Sequence, residues 1–108
     1  MKIIQIFLLT FIFSTSAFAA YTANHKSTIK WVKIYNSDII YFQLDDQPTT
    51  DCSYSYFVLN NKLTENQRNR YYTTLLAARA SGQEISVGYD RQQADCLYDT
   101  PIVYAVAF

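Results

Sequence analysis

Between Tyr71 and Tyr89 the spacing of apolar residues changes from helical to alternating across a single glycine. Leu75 with Ala78, and Tyr72 with Leu76 and Arg79, recur at three and four, whereas Ile85, Val87 and Tyr89 recur at two. The stretch therefore reads as one helix feeding one strand through Gly82. Just upstream, Thr64-Glu65-Asn66-Gln67 matches a capping box, in which the Thr64 hydroxyl accepts from the Gln67 amide and the Gln67 side chain returns to the cap. The helix is expected to start at about Glu65 and to run to about Ala80, with Gly82 placed to take the left-handed conformation that closes a helix C-terminus. The rest of the chain after residue 19 reads almost entirely as strands, so a lone central helix narrows the fold more than composition does.

Those strands follow from alternation and turn chemistry. Thr28 to Tyr35 is β-branched and aromatic, Asn36-Ser37-Asp38 supplies a turn, and Ile39 to Leu44 resumes as the second arm of a hairpin. On that arm Ile40, Phe42 and Leu44 are expected to face a core, while Ile39, Tyr41 and Gln43 form a half-polar face for solvent or a neighbour. Asp45 to Asp51 reads as a polar loop, and Ser53 to Leu59 as a third strand with Phe57 and Leu59 inward and Tyr56 and Val58 opposite. Glu84 to Tyr89 is the fourth strand and Asp90 to Asp95 a polar loop. Pro101 to Phe108, apolar on both faces, is the fifth strand, central or covered on both sides. Residues Ala20 to Ser27 read as polar and loose. The expected class is mainly β with one helix (α+β), in the order β-β-β-α-β-β. Five such strands can close into a partly open barrel of the oligonucleotide- and oligosaccharide-binding (OB) type, plugged by the helix.

Residues 1–19 read as an export signal. Met1-Lys2 gives a positive start, Ile3 to Phe13 an apolar run, and Ala17-Phe18-Ala19 the small residues of a cleavage site before Ala20. The run is too short for a membrane span. The expected product is a single domain, residues 20–108, secreted or periplasmic. At about 89 residues its core is small enough for a covalent staple to matter. Cys52 and Cys96 are the only cysteines. In an oxidising compartment they read as one disulfide, whose closure of a loop of about 45 residues is worth roughly 4 kcal/mol on chain entropy. The alternative, a free catalytic thiol, needs a nearby base, and the only histidine is His25, expected on a mobile N-terminus.

Without Lys2 the chain has eight Lys and Arg against nine Asp and Glu. A near-neutral balance with no basic cluster beyond Lys26, Lys30 and Lys33 argues against nucleic acid as a partner. Tyrosine is the compositional outlier: all ten lie after residue 19, beside three phenylalanines and one tryptophan. Its apolar area and polar tip suit half-buried strand faces, assembly surfaces and sugar sites alike.

The export signal, the strand order, the helix Tyr71-Tyr72-x-x-Leu75-Leu76-Ala77-Ala78, its exit Ser81-Gly82-Gln83-x-Ile85-x-Val87-x-Tyr89 and the late Cys96-Leu97-Tyr98 together resemble the B subunits of bacterial AB5 toxins. The resemblance is to the subtilase-cytotoxin, pertussis-like and typhoid-toxin group. It implies an OB-fold subunit assembled as a homopentamer, with helices lining a central pore, a separate toxin A subunit as partner, and a cell-surface glycan, often sialylated, as ligand. A serine beside the first strand contacts sugar in that group; the matching position is Ser27, or Thr28 if the register slips by one.

From the residues themselves, a sugar site needs aromatic faces for the C–H surface of the ring and planar polar groups for its hydroxyls. Tyr35 with Asn36, Tyr54, and Tyr98 with Asp99 are the candidates. Asp45, Asp46 and Asp51 lack the ligand alternation and turn glycine of a calcium loop, so no metal or cofactor is expected. With no zinc spacing, nucleophile elbow or phosphate loop, the chain reads as a non-enzymatic binding module. Arg68, Arg70 and Arg79 read as a solvated helix face or, in a ring, as charges needing Glu65 or Glu84 of a neighbour. The alternative function is a monomeric inhibitor or accessory domain of the same fold that binds a protein.

Overall fold

The structure, a computed structural model, describes residues 23–36 and 38–108. The expected export signal at residues 1–19 lies outside the described residues, as does Ser37 of the first turn. The elements are β1 (Ala23–Ser27), β2 (Ile29–Tyr35), β3 (Ile39–Leu44), β4 (Phe57–Leu59), α1 (Glu65–Ser81), β5 (Ile85–Tyr89), β6 (Cys96–Leu97) and β7 (Thr100–Ala107), with one 3-10 turn at Gln93–Asp95. The molecule is thus mainly β with one helix. No described helix is long and apolar enough to cross a membrane.

The capping box at Thr64 and Gln67 is formed in both directions, and Gly82 closes α1 in the left-handed region at φ 70°. These two signals are local, which is why α1 starts where the sequence places it. The helix lays Leu75 and Ala78, both fully buried, against the sheet, and Tyr71 and Tyr72 pack at the edge of the same core.

The sheet runs β1-β5-β7-β4-β3-β2, with β6 paired to β7 outside that path. Every pairing is antiparallel except β4 with β7, which is parallel. The two ends of the path, β1 and β2, are consecutive segments of one extended stretch separated by Thr28. The core gathers Ile29, Ile40, Phe42, Leu44, Phe57, Leu59, Leu75, Ala78, Ile85, Val87, Tyr89 and Val103. Phe57 is its aromatic hub, with ring centroids 5.5 Å from Phe42 and 5.1 Å from Tyr89.

A bulge in β2 changes the phase of the chain. Ile29 pairs with Leu44 and Trp31 with the adjacent Gln43, so Lys30 is an extra residue on one side of the ladder. Before it, Ala23, Ser27 and Ile29 turn inward; after it, Val32 does so, and Trp31, Lys33 and Tyr35 face away.

The structure corrects three expectations. Ala23–Ser27 is a strand, because β5 supplies a ladder partner for each residue and so compensates for its polar composition. His25 therefore sits on β1, with Nε2 3.1 Å from an Asp46 carboxylate oxygen. The third strand is only Phe57–Leu59, since residues 51–56 bond to the C-terminal loops instead of a sheet neighbour: Asp51 N donates to the Arg91 carbonyl (2.8 Å) and Tyr54 N to that of Asp99 (3.0 Å). Within β4 Val58 is buried along with Phe57 and Leu59, as befits a strand flanked by β3 and β7. The last strand is central, as expected, and an irregularity between Gly88 and Tyr89 changes which of its residues meet the core: the buried Val103 opposite Tyr89 and the half-buried Val106 opposite Val87 both do so.

Candidate functional site: an aromatic cleft on the outer face of the hairpin

The β2–β3 hairpin turns Phe42 and Leu44 into the core and leaves its other face to aromatic side chains. Trp31, Lys33 and Tyr35 from β2 and Tyr41 from β3 line a cleft with Tyr54, Tyr56, Tyr98 and Asp99. Its volume is about 470 Å³, within the range of small-ligand pockets. Lys33 and Tyr41 are directly opposed across the hairpin ladder, so both arms contribute to one wall.

The rings support one another. Tyr56 lies at their centre, 5.4 Å from Trp31, 5.3 Å from Tyr41 in an edge-to-face arrangement, and 5.4 Å from Tyr54 in a stacked one. Tyr35 adds a tilted contact with Tyr41 at 6.4 Å. Aromatic pairs at such distances are worth about 0.5–1.5 kcal/mol each beyond the area they bury. Gln43 fastens the assembly, because its Oε1 accepts from Trp31 Nε1 (3.0 Å) while its Nε2 donates to the Ser55 carbonyl (2.6 Å). Trp31, Tyr41 and Tyr56 are half-buried and form the floor; Tyr35, Tyr54 and Tyr98, about half exposed, form the rim.

Burial, and then the neighbouring phenols, Tyr56 first, push the Tyr41 hydroxyl above the ordinary tyrosine range. Burial followed by Tyr54 does the same for Tyr56. Both floor hydroxyls therefore keep their protons, and remain hydrogen-bond donors, beyond the pH at which an unperturbed phenol ionises.

The far wall rests on an unusual turn. Tyr98 and Asp99 are the two loop residues between β6 and β7, and both have positive φ, 54° and 61°. Positive φ at both central residues is the type I′ pattern, which ordinarily takes Asn-Gly. A tyrosine and an aspartate in the left-handed region cost on the order of 1–3 kcal/mol each and persist only where the surroundings over-determine them. Here the Thr100 hydroxyl donates to the Tyr98 carbonyl (2.9 Å), Tyr54 N donates to that of Asp99, and the Cys52–Cys96 disulfide anchors the base of the hairpin. The expected disulfide is thus present, and it joins the two segments that carry the cleft's far wall.

Of the residues singled out by sequence, Tyr35, Tyr54, Tyr98 and Asp99 come together in this cleft. Asn36 follows Tyr35 at the hairpin tip, itself at φ 57°. Ser27 and Thr28 do not line it. Ser27 is buried, its hydroxyl donating to the Thr28 carbonyl (3.0 Å) and accepting from Asp46 N (3.0 Å), while the Thr28 hydroxyl donates to the Asp45 carboxylate. Of the three lysines, all exposed, only Lys33 reaches the cleft. Arg68 has a partner within its own chain, Asp38 of the hairpin turn at 3.7 Å.

Trp31, Lys33, Tyr41 and Tyr56 are the cleft residues that sequence reasoning missed. For Tyr41 and Tyr56 the signal was present, since each alternates with a core residue and so belongs to the opposite face. Trp31 and Lys33 were hidden by the Lys30 bulge, because unbroken alternation from Ile29 places them on the core side.

Among the described residues no three of His, Cys, Asp and Glu converge as a metal site would require. Comparison of the chain with protein-family models, with curated proteins and with solved structures gave no match.

Proposed function

We propose that this chain is a secreted, non-enzymatic carbohydrate-binding module of the AB5 B-subunit type, and that the Trp31–Tyr56 cleft is its sugar site. One observation carries the reading: the face of the hairpin that the core does not need is covered by six aromatic rings with a lysine and an aspartate among them. Ring faces match the C–H surface of a pyranose, and phenol, ammonium and carboxylate groups match its hydroxyls. The Tyr98-Asp99 turn adds weight, since left-handed non-glycine residues concentrate at binding sites.

The barrel belongs to the same proposal. It is supported by the continuity of β1 and β2 at the two ends of the sheet path, by the parallel β4–β7 pairing, and by the hydrogen bond from Asp45 N to the Thr28 carbonyl (2.9 Å) at the junction. Counting β1 and β2 together as one first strand gives the five strands that the proposed OB-type barrel needs. A homopentamer with a toxin A subunit is the assembly that the family resemblance implies.

The test is an array of immobilised oligosaccharides probed with the mature protein, followed by titration of each hit while monitoring Trp31, the only tryptophan in the chain. Saturable binding that shifts Trp31 emission and is lost in Tyr56→Ala is the expected result. An array without hits overturns the lectin reading, and capture of a protein partner that survives glycosidase treatment replaces it with the protein-binding alternative. Native mass decides the assembly separately: five subunits are expected, and a monomer at micromolar concentration removes the ring.

A further inference from the structure

Half of the cleft stands on chain that the long strands do not hold. Tyr54 and Tyr56 lie in residues 51–56, which have neither helix nor strand, and Tyr98 and Asp99 are the two-residue turn between β6 and β7. Cys52 lies two residues before Tyr54, and Cys96 two residues before Tyr98. We infer that the Cys52–Cys96 disulfide positions these two segments against the hairpin, so that ligand binding at the cleft is lost on reduction while the hydrophobic core persists. The binding half of this inference rests on the carbohydrate reading above; the structural half does not.

Three observations support the clamp. The disulfide spans a sequence separation of 44, so it alone joins the segments covalently at this point. Among the described residues, the backbone hydrogen bond between them is Tyr54 N to the Asp99 carbonyl, while Asp51 N bonds to the Arg91 carbonyl in the preceding loop. A turn holding two non-glycine residues at positive φ also has a conformational reason to relax once its anchor is cut. The core, by contrast, is drawn from β2, β3, β4, α1, β5 and β7, and no residue of 51–56 or 96–99 belongs to it.

The two sulfurs are not equally accessible. Cys52 is buried and Cys96 half-buried, so a thiolate of an incoming dithiol attacks the Cys96 sulfur and Cys52 leaves as thiolate. The second thiol of the dithiol then resolves the mixed disulfide. The protein disulfide takes up two electrons and two protons to give two thiols, and the dithiol is oxidised to its own disulfide.

The experiment compares the oxidised mature protein with the same protein reduced by dithiothreitol and alkylated, and with the Cys52→Ser, Cys96→Ser double variant. Amide hydrogen exchange in residues 51–56 and 96–99 is expected to rise about tenfold or more with β5 and β7 unchanged. Trp31 is expected to become more accessible to acrylamide, and array binding to fall by a factor of about ten or more. Unchanged exchange in the two segments overturns the clamp, and so does equal loss of protection in β5 and β7, which makes the disulfide a staple of the whole fold. Full array binding by the reduced protein overturns the redox dependence. If the oxidised protein finds no sugar, the carbohydrate reading alone fails, and the exchange data still decide the clamp.

Discussion

The two faces of β3 show how one strand serves two purposes. Ile40, Phe42 and Leu44 are buried, and their contribution is apolar area removed from water, about 25 cal/mol per Å². Tyr41 and Gln43, between them, are half-buried and tie the strand to groups outside the sheet: Tyr41 to the rings of Tyr35 and Tyr56, Gln43 to Trp31 and Ser55. The first set answers to packing volume. The second answers to geometry, because rings with polar tips are useful only when their orientation is fixed. On the proposed reading, stability and recognition are thereby separated across the thickness of one strand.

The largest expected effect tests that separation directly. Phe42→Ala, at a fully buried position beside Phe57, is expected to cost about 3–5 kcal/mol in denaturant unfolding. Tyr56→Ala removes the ring at the centre of the cleft with its three aromatic contacts and is expected to cost about 2–3 kcal/mol, less than Phe42→Ala, while abolishing the proposed binding. If the two substitutions destabilise equally, the faces are not distinct and the cleft is part of the core. Thr64→Ala, remote from both faces, is expected to cost about 1 kcal/mol through the capping box and to leave binding unchanged.

The smallest effect is on pH dependence. The folded state raises the Tyr41 and Tyr56 values above 10.0, so it holds these protons more tightly than the unfolded chain does. The associated stability is complete below the unfolded value and declines as pH rises from there through the folded values. The tyrosinate absorbance lost in Tyr41→Phe or Tyr56→Phe is accordingly expected to develop above pH 10.0. A titration step removed by either substitution below that pH would show that the floor of the cleft is open to water.

What could be read from sequence was local. The capping box, Gly82, the hairpin and the inward alternation of Ile85, Val87 and Tyr89 depend on residues a few positions apart, and the structure has each of them. What escaped depends on distant partners. The polar segment Ala23–Ser27 is a strand because β5 lies beside it, and Ser53 to Tyr56 leaves the sheet because Cys52 and the Tyr54 amide are held by the C-terminal loops. The rim tyrosines could be nominated by residue type. The cleft floor could not be assembled without knowing which face each strand turns outward.

The Lys30 bulge bears on how such a protein can change. Ile29 and Trp31 are two positions apart and would share a face in a regular strand, so the unpaired Lys30 is what lets one turn inward and the other outward. Deleting Lys30 would leave Ile29 opposite Leu44 and Trp31 opposite Gln43 in a regular ladder with both faces kept, whereas a register that paired Lys30 with Leu44 would turn Ile29 outward and, through β1, reverse the residues that face β5. The aromatic wall and the first strand thus keep their opposite faces as long as residue 30 stays out of the ladder.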